Sequence, residues 1–160
     1  MQKLLISVYK NTKLSGFLSL CSHIISIVCV IAFTVTIGYN VYLGKYITAV
    51  TLAVCAGVGF VLVGIARKLI NAPRPYELYS FYEVKPKERN GCSFPSRHAY
   101  SAAVISTLSL SVSVWLCIPL SILTVFMCVC RALVGIHFIR DLLAGLLIGA
   151  VAGVIGILLI

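Results

Sequence analysis

The feature that most constrains this chain is the length of its charge-free stretches. No Asp, Glu, Lys or Arg occurs between Leu14 and Gly44, between Tyr46 and Ala66, between Ala99 and Cys130, or between Leu142 and Ile160. Uncharged, mainly apolar segments of about 20 residues suit the hydrocarbon core of a bilayer, because a helix satisfies its own backbone and turns apolar side chains to lipid. An ordinary soluble domain is excluded: hydrophobic residues make up 61% of the sequence and charged residues 11%, roughly half the usual charged share. The expected fold is all-α, a polytopic transmembrane helical bundle of about five spans. It is read as one integral-membrane domain over residues 1–160.

A single helix from Leu14 to Gly44 would measure about 46 Å, so the first span is expected near 17–37, ending at Gly38-Tyr39-Asn40. Further spans are expected near 46–66, 97–113, 117–134 and 142–160. If 99–130 were one helix, His98 and Arg131 would lie about 50 Å apart on opposite faces, whereas Trp115 and Pro119 suggest two spans meeting in a tight turn. Lys3, Lys10 and Lys13 among Leu4, Leu5, Ile6, Val8 and Tyr9 suggest a short amphipathic segment at the interface, not a cleavable signal peptide. The polar stretch from Tyr76 to Phe94 reads either as a lid at headgroup level or as a solvated loop with interfacial aromatics. Gly145, Gly149, Gly153 and Gly156 recur at spacings suited to close helix packing. His23, with no charged neighbour in sequence, reads as a satisfied or surface-facing histidine.

The net charge of +9 does not point to nucleic acid, since the basic residues sit at span ends and in one loop, where anionic headgroups or phosphate lie. Seven cysteines, with no paired C-x-x-C motif, read as small core hydrophobes; Cys92 alone lies in the polar loop. No cluster of acidic residues and histidines has metal-ligand spacing, so no metal or cofactor is expected.

Within this apolar background, the block from Cys130 to Asp141 gathers a guanidinium, an imidazole and a carboxylate at a membrane boundary. Asp141 lies one helical turn from His137 and can fix its tautomer, which makes His137 a candidate nucleophile. Gly135 offers a place to end one helix, and Arg131, brought back beside His137, would suit bidentate phosphate binding. The competing reading makes Arg131 and Arg140 interfacial anchors and Asp141 a helix cap. Upstream, prolines on both sides of Arg74 stop the preceding helix and stiffen the backbone that presents this guanidinium. In Pro95-Ser96-Arg97-His98, Ser96 is placed to cap a helix whose first amides face an anion.

Taken together, Arg67-x6-Arg74-Pro75, Pro95-Ser96-Arg97-His98 and Arg131-x5-His137-x3-Asp141 resemble the three-part signature of the type 2 phosphatidic acid phosphatase family, whose superfamily includes the vanadium haloperoxidases. The resemblance covers about the last two thirds of the chain. It implies a metal-independent hydrolase of lipid phosphomonoesters or diphosphates. In that pattern Arg74 and Arg131, helped by Ser96, bind phosphoryl oxygens; His137 attacks phosphorus, Asp141 orients it, and His98 protonates the leaving group. Two positions depart from the pattern. Arg67 stands where the family has lysine, with Lys68 next to it and either able to supply the charge, and Arg97 replaces a glycine and either points away or adds a cation. The chain also has one span fewer than the six typical of membrane members.

The alternatives are a phosphotransferase on the same scaffold and a non-enzymatic lipid-binding membrane protein. The expected partners are a lipid phosphate and the bilayer, with no nucleic acid, and the sequence does not specify an oligomeric state. The expected location is the plasma membrane. Lys45 is the only lysine or arginine opposite the motifs, and the positive-inside bias then favours a cytoplasmic site.

Overall fold

The computed structural model describes residues 11–78 and 91–160. Among these residues the regular structure is wholly helical: α1 (Thr12–Tyr42), α2 (Tyr46–Ile70), the single turn α3 (Pro75–Leu78), α4 (Arg97–Leu108) running into a 3-10 turn at Ser109–Ser111, α5 (Val114–Leu133) and α6 (Ile139–Leu158). Four helices are long and apolar enough to cross a membrane: α1, α2, α5 and α6. With 12 residues, α4 measures only about 18 Å and cannot cross the core alone. The chain is a multi-pass membrane bundle, with a short inner helix where a fifth full span was expected.

That inner helix is the centre of the molecule. It packs against α6 most extensively and also touches α1, α2 and α5. Ala99, Tyr100, Ala102, Ala103, Val104, Ile105, Ser106 and Leu108 are all buried on it. Its hydroxyls are satisfied locally: Ser106 donates to Ala102 O (2.7 Å) and Thr107 to Ala103 O (3.0 Å). The glycines of α6 make the closest approach possible. A Cβ on Gly145 would lie 2.5 Å from Ser96 O, and one on Gly149 would lie 2.5 Å from Tyr100 O. The small-residue face read from the sequence is the α6 surface that receives α4.

The outer helices present Phe17, Ile47, Leu62, Ile122 and Leu147 outward, which suits lipid contact. Exposed Tyr42, Tyr46 and Trp115 lie at the helix ends away from the motifs, a placement that suits aromatic residues at a bilayer boundary.

The helix termini differ from the expected boundaries for identifiable reasons. α1 continues through Gly38, Tyr39 and Asn40, because the Asn40 side chain turns inward and donates to Thr36 O at 2.9 Å. It ends instead at Gly44 (φ +72°), where Gly44 N–H bonds Val41 O and Lys45 N–H bonds Asn40 O, a Schellman closure. The turn before α5 lies at Ser109–Ser113, ahead of Trp115, because the Ser113 hydroxyl accepts the Trp115 N–H (3.1 Å). Pro119 is absorbed inside α5, where it forgoes only the bond to the Trp115 carbonyl. His23 is exposed on α1. The interfacial segment expected before residue 11 and the 79–90 part of the lid or loop lie outside the described residues.

Candidate active site

With the short α4 counted, α1, α2, α4, α5 and α6 alternate in direction, so the end of α2, the start of α4, the end of α5 and the start of α6 meet at one end of the bundle. All three sequence clusters lie there. α5 stops at Gly135 (φ +76°): Gly135 N–H bonds Ala132 O and Ile136 N–H bonds Arg131 O, again a Schellman closure. The turn carries His137 back over the bundle and into α6.

His137 and Asp141 are both buried. His137 Nδ1 stands 3.8 Å from Asp141 Oδ2, too far for a direct hydrogen bond. The Ser93 hydroxyl lies between them, 2.5 Å from Asp141 Oδ2 and 3.3 Å from His137 Nδ1. An ionised carboxylate only accepts, so the single Ser93 proton goes to Asp141 and the oxygen is left to accept from Nδ1. The proton of His137 is therefore on Nδ1, and Nε2 carries the lone pair. Asp141 Oδ2 also accepts the Phe138 N–H at 3.1 Å. The carboxylate thus caps α6 and is also linked to His137 through Ser93, so the two readings that the sequence set against each other are compatible.

Burial holds the His137 imidazole below its ordinary value of 6.5, and the Arg74, Arg131 and Arg67 guanidiniums push it the same way against the opposing pull of Asp141. These three cations, brought from two different helix ends and a loop, act on one ring. Arg131 is 1% exposed, Arg74 4% and Arg67 7%. Arg67 Nη1 donates to Pro95 O at 2.9 Å. Lys68 is exposed and turned away, so Arg67 occupies the inward position that the sequence left open between them.

Arg74 is braced from below. Its Nε donates to Gly91 O (3.1 Å) and its backbone N–H to Glu77 Oε2 (2.7 Å), and Glu77 also accepts from Gly91 N–H at 2.9 Å. Asn71 accepts the Cys92 N–H (3.2 Å), and Ser93 N–H bonds Ala72 O (2.9 Å). Gly91 has φ +66°, a conformation that favours glycine, and a Cβ there would push the Asn71 side chain out of place. Tyr76, expected at the interface, is buried.

Ser96 caps α4, its hydroxyl accepting the Ala99 N–H at 3.4 Å. Its own N–H donates to Asp141 O (2.9 Å), which ties the start of α4 to the first turn of α6. His98 is half-buried at the second position of α4, and Arg97 is exposed with its guanidinium 5.5 Å from the centroid of the Phe60 ring. Ser93, Glu77 and Asn71 are the residues that sequence reasoning missed. Only Glu77 gave a signal, as one of four acidic residues in the chain.

Among the described residues no group of three or more His, Cys, Asp or Glu side chains is arranged to hold a metal ion. The site offers three guanidiniums for an anion, a neutral imidazole with a fixed tautomer, a second imidazole and a hydroxyl.

A profile of the PAP2 superfamily matches residues 42–160. The crystal structure of Aquifex aeolicus LpxE is similar, with TM-score 0.71 and 22% identity over 98% of this chain and 93% of that one. That of the first transmembrane PAP2 type phosphatidylglycerolphosphate phosphatase from Bacillus subtilis gives TM-score 0.73 and 17% identity over 99% and 85%. At such identities the likeness is one of fold. No curated protein matches the chain by sequence. The profile runs unbroken through Arg67, the turn before α4 and the block from Arg131 to Asp141, and on that match the chain belongs to the PAP2 superfamily.

Proposed function

We propose that the chain is a metal-independent lipid phosphate phosphatase that works through a phosphohistidine on His137. The observation that carries this reading is the convergence of buried Arg67, Arg74 and Arg131 on the buried, neutral His137 at one end of a membrane bundle. Preorganised cations of this kind bind a phosphoryl group and stabilise the charge that develops as it transfers. The Bacillus subtilis neighbour, a phosphatidylglycerolphosphate phosphatase, acts on a substrate of the same class.

In the first step His137 Nε2 forms a bond to phosphorus while the bond from phosphorus to the lipid oxygen breaks. The departing oxygen takes the electron pair and a proton from His98. The positive charge gained by the imidazole is held by the Nδ1–Ser93–Asp141 chain. In the second step water attacks phosphorus, His98 takes its proton, the N–P bond breaks, and inorganic phosphate leaves. Ser96 takes part through its hydroxyl, since its N–H is bonded to Asp141 O. The site is assigned to the cytoplasmic face of the plasma membrane.

The test is phosphate release from a panel of lipid mono- and diphosphates by purified protein in mixed micelles, with and without chelator and vanadate. Release that survives chelation, is blocked by vanadate and disappears in His137→Ala supports the reading. Full activity in His137→Ala, or chelation loss restored by magnesium, overturns it. Transfer of phosphate to an added alcohol in preference to water would make the enzyme a phosphotransferase instead.

A further inference from the structure

Arg97 and His98 open onto a cavity that His137, Asp141 and the three buried arginines do not line. It has a volume of about 250 Å³, lies between α1, α2, α4 and α5, and is walled by Cys29, Val30, Phe60, Ala102, Ile105 and Met127. From His98 to Ile105 it follows α4 for about 10 Å into the bundle. Val30 and Phe60 on its wall are 60% and 44% exposed on the outer helices, so the cavity can be entered sideways from lipid. Its size lies below the roughly 300–1,000 Å³ of pockets that hold a drug-sized ligand, which suits one apolar chain and not two side by side.

The charge at its mouth is Arg97. The guanidinium rests over the Phe60 ring, and among the described residues no carboxylate lies within ion-pair distance of it. A cation at the edge of an apolar cavity, with no carboxylate beside it among the described residues, fits an anion that arrives with its own hydrocarbon chain. Resting on the phosphatase reading above, in which His98 protonates the leaving oxygen, the leaving group lies on the His98 side. Arg97 lines the same space.

We infer that Arg97 selects a single-chain lipid diphosphate, whose chain occupies this cavity and whose lipid-proximal phosphate rests against the guanidinium. With such a substrate, His137 Nε2 bonds to the terminal phosphorus as its bond to the bridging oxygen breaks. The electron pair stays on that oxygen, now part of a lipid monophosphate, with the proton coming from His98. Water then cleaves the N–P bond to release inorganic phosphate. The leaving group is itself a phosphate, so its charge rises in the transition state where Arg97 can stabilise it. An alcohol leaving group gives Arg97 nothing to bind.

The test compares kcat/KM for farnesyl diphosphate, farnesyl monophosphate and a diacylglycerol diphosphate in mixed micelles, for wild type, Arg97→Gln, Arg97→Lys and Val30→Trp. Arg97→Gln is expected to lower the ratio of diphosphate to monophosphate by on the order of ten- to a hundredfold, the effect of a hydrogen bond to a charged group, with part recovered in Arg97→Lys. Val30→Trp, which fills the cavity from its exposed wall, should reduce turnover of farnesyl diphosphate but not of the short-chain isopentenyl diphosphate. An unchanged ratio in Arg97→Gln overturns the role of Arg97. Preference for the diacyl substrate, or indifference to Val30→Trp, overturns the single-chain site. If wild type hydrolyses the monophosphate and His137→Ala does not, the phosphatase reading stands whichever way these ratios fall; no hydrolysis of any substrate would sink that reading instead.

Discussion

Ser93 and Asp141 are joined side chain to side chain at 2.5 Å across 48 residues of sequence. The same hydroxyl accepts from His137 Nδ1. Ser93 touches Nδ1 and not Nε2, the nitrogen proposed to attack; it fixes the tautomer and holds the ring.

Ser93→Ala should therefore lower kcat by about tenfold with little change in KM, while Ser93→Thr, which keeps the hydroxyl, retains most of the rate. Steady-state kinetics on a lipid phosphate decides this. Equal losses in both variants would show that the side chain matters only for packing.

Burial separates the two neighbouring cations at the end of α2. Arg67 is buried and bonded to Pro95 O, whereas Lys68 is exposed. Lys68→Ala should change kcat/KM by less than about twofold, and Arg67→Lys should cost on the order of tenfold or more because lysine cannot reproduce the fork of donors. The reverse order would mean that Lys68 fills the first basic position.

The pH profile carries a sign that can be worked out. His137 must be neutral to attack, and burial together with the arginines holds its pKa below 6.5. Activity should rise with pH through that lowered value, which puts the acid limb of the profile below 6.5. Replacing Arg74 by Gln removes one of the opposing charges and should move the limb upward. The same shift acts on stability: as pH falls from 6.5 toward the folded-state value, the unfolded chain takes the proton first and the fold loses stability. A limb that does not move in Arg74→Gln would show that this guanidinium does not act on His137.

The contact between α4 and α6 gives a prediction about packing. Gly149→Ala places a methyl 2.5 Å from Tyr100 O, a backbone atom that cannot step aside, whereas Gly64 has nothing within 4 Å of its added Cβ. Gly149→Ala should cost about 1–3 kcal/mol and also reduce activity, because it pushes α4 away from the Ser96–Asp141 bond. Gly64→Ala serves as the control, expected near neutral in a thermal shift measurement in detergent. Equal melting temperatures would show that the close approach relaxes at no cost.

Much of this arrangement is legible in the sequence, because charges at the ends of long apolar runs can only gather at a membrane boundary. Arg67, Arg74, the Pro95–His98 turn and the Arg131–Asp141 block are assigned to one end on that ground alone, and Gly135 is recognisable as the stop of α5. The depth of α4 is not legible. Ser101, Ser106, Thr107 and Ser109 read as ordinary members of an apolar span, and only the tertiary structure shows a short helix enclosed by the others. Ser93 is equally silent, since a serine in a loop acquires its role from His137 and Asp141, which lie 44 and 48 residues away. Arg67 and Lys68 are alike in chemistry, and helical phase in the folded bundle is what distinguishes them.

The last prediction concerns the face of the membrane on which the site works. Among the described residues, Lys45 is the only lysine or arginine at the end carrying Tyr42, Tyr46 and Trp115, while Lys13, Arg67, Lys68, Arg74, Arg97, Arg131 and Arg140 lie at the site end. Four of the latter, Arg67, Arg74, Arg97 and Arg131, are proposed to serve phosphate binding and are set aside from the charge comparison. Lys13, Lys68 and Arg140 still outweigh Lys45, and the bias of positive charge toward the cytoplasm puts the site on that side as a hypothesis. Arg140 is 67% exposed and Lys45 is exposed in the opposite turn, so each can report its own face. In a background with all native cysteines replaced, Lys45→Cys should react with a membrane-impermeant thiol reagent in intact cells, and Arg140→Cys should react only after lysis. Labelling of Arg140→Cys before lysis, with Lys45→Cys protected, would place the site on the outer face and limit its substrates to lipids exposed there.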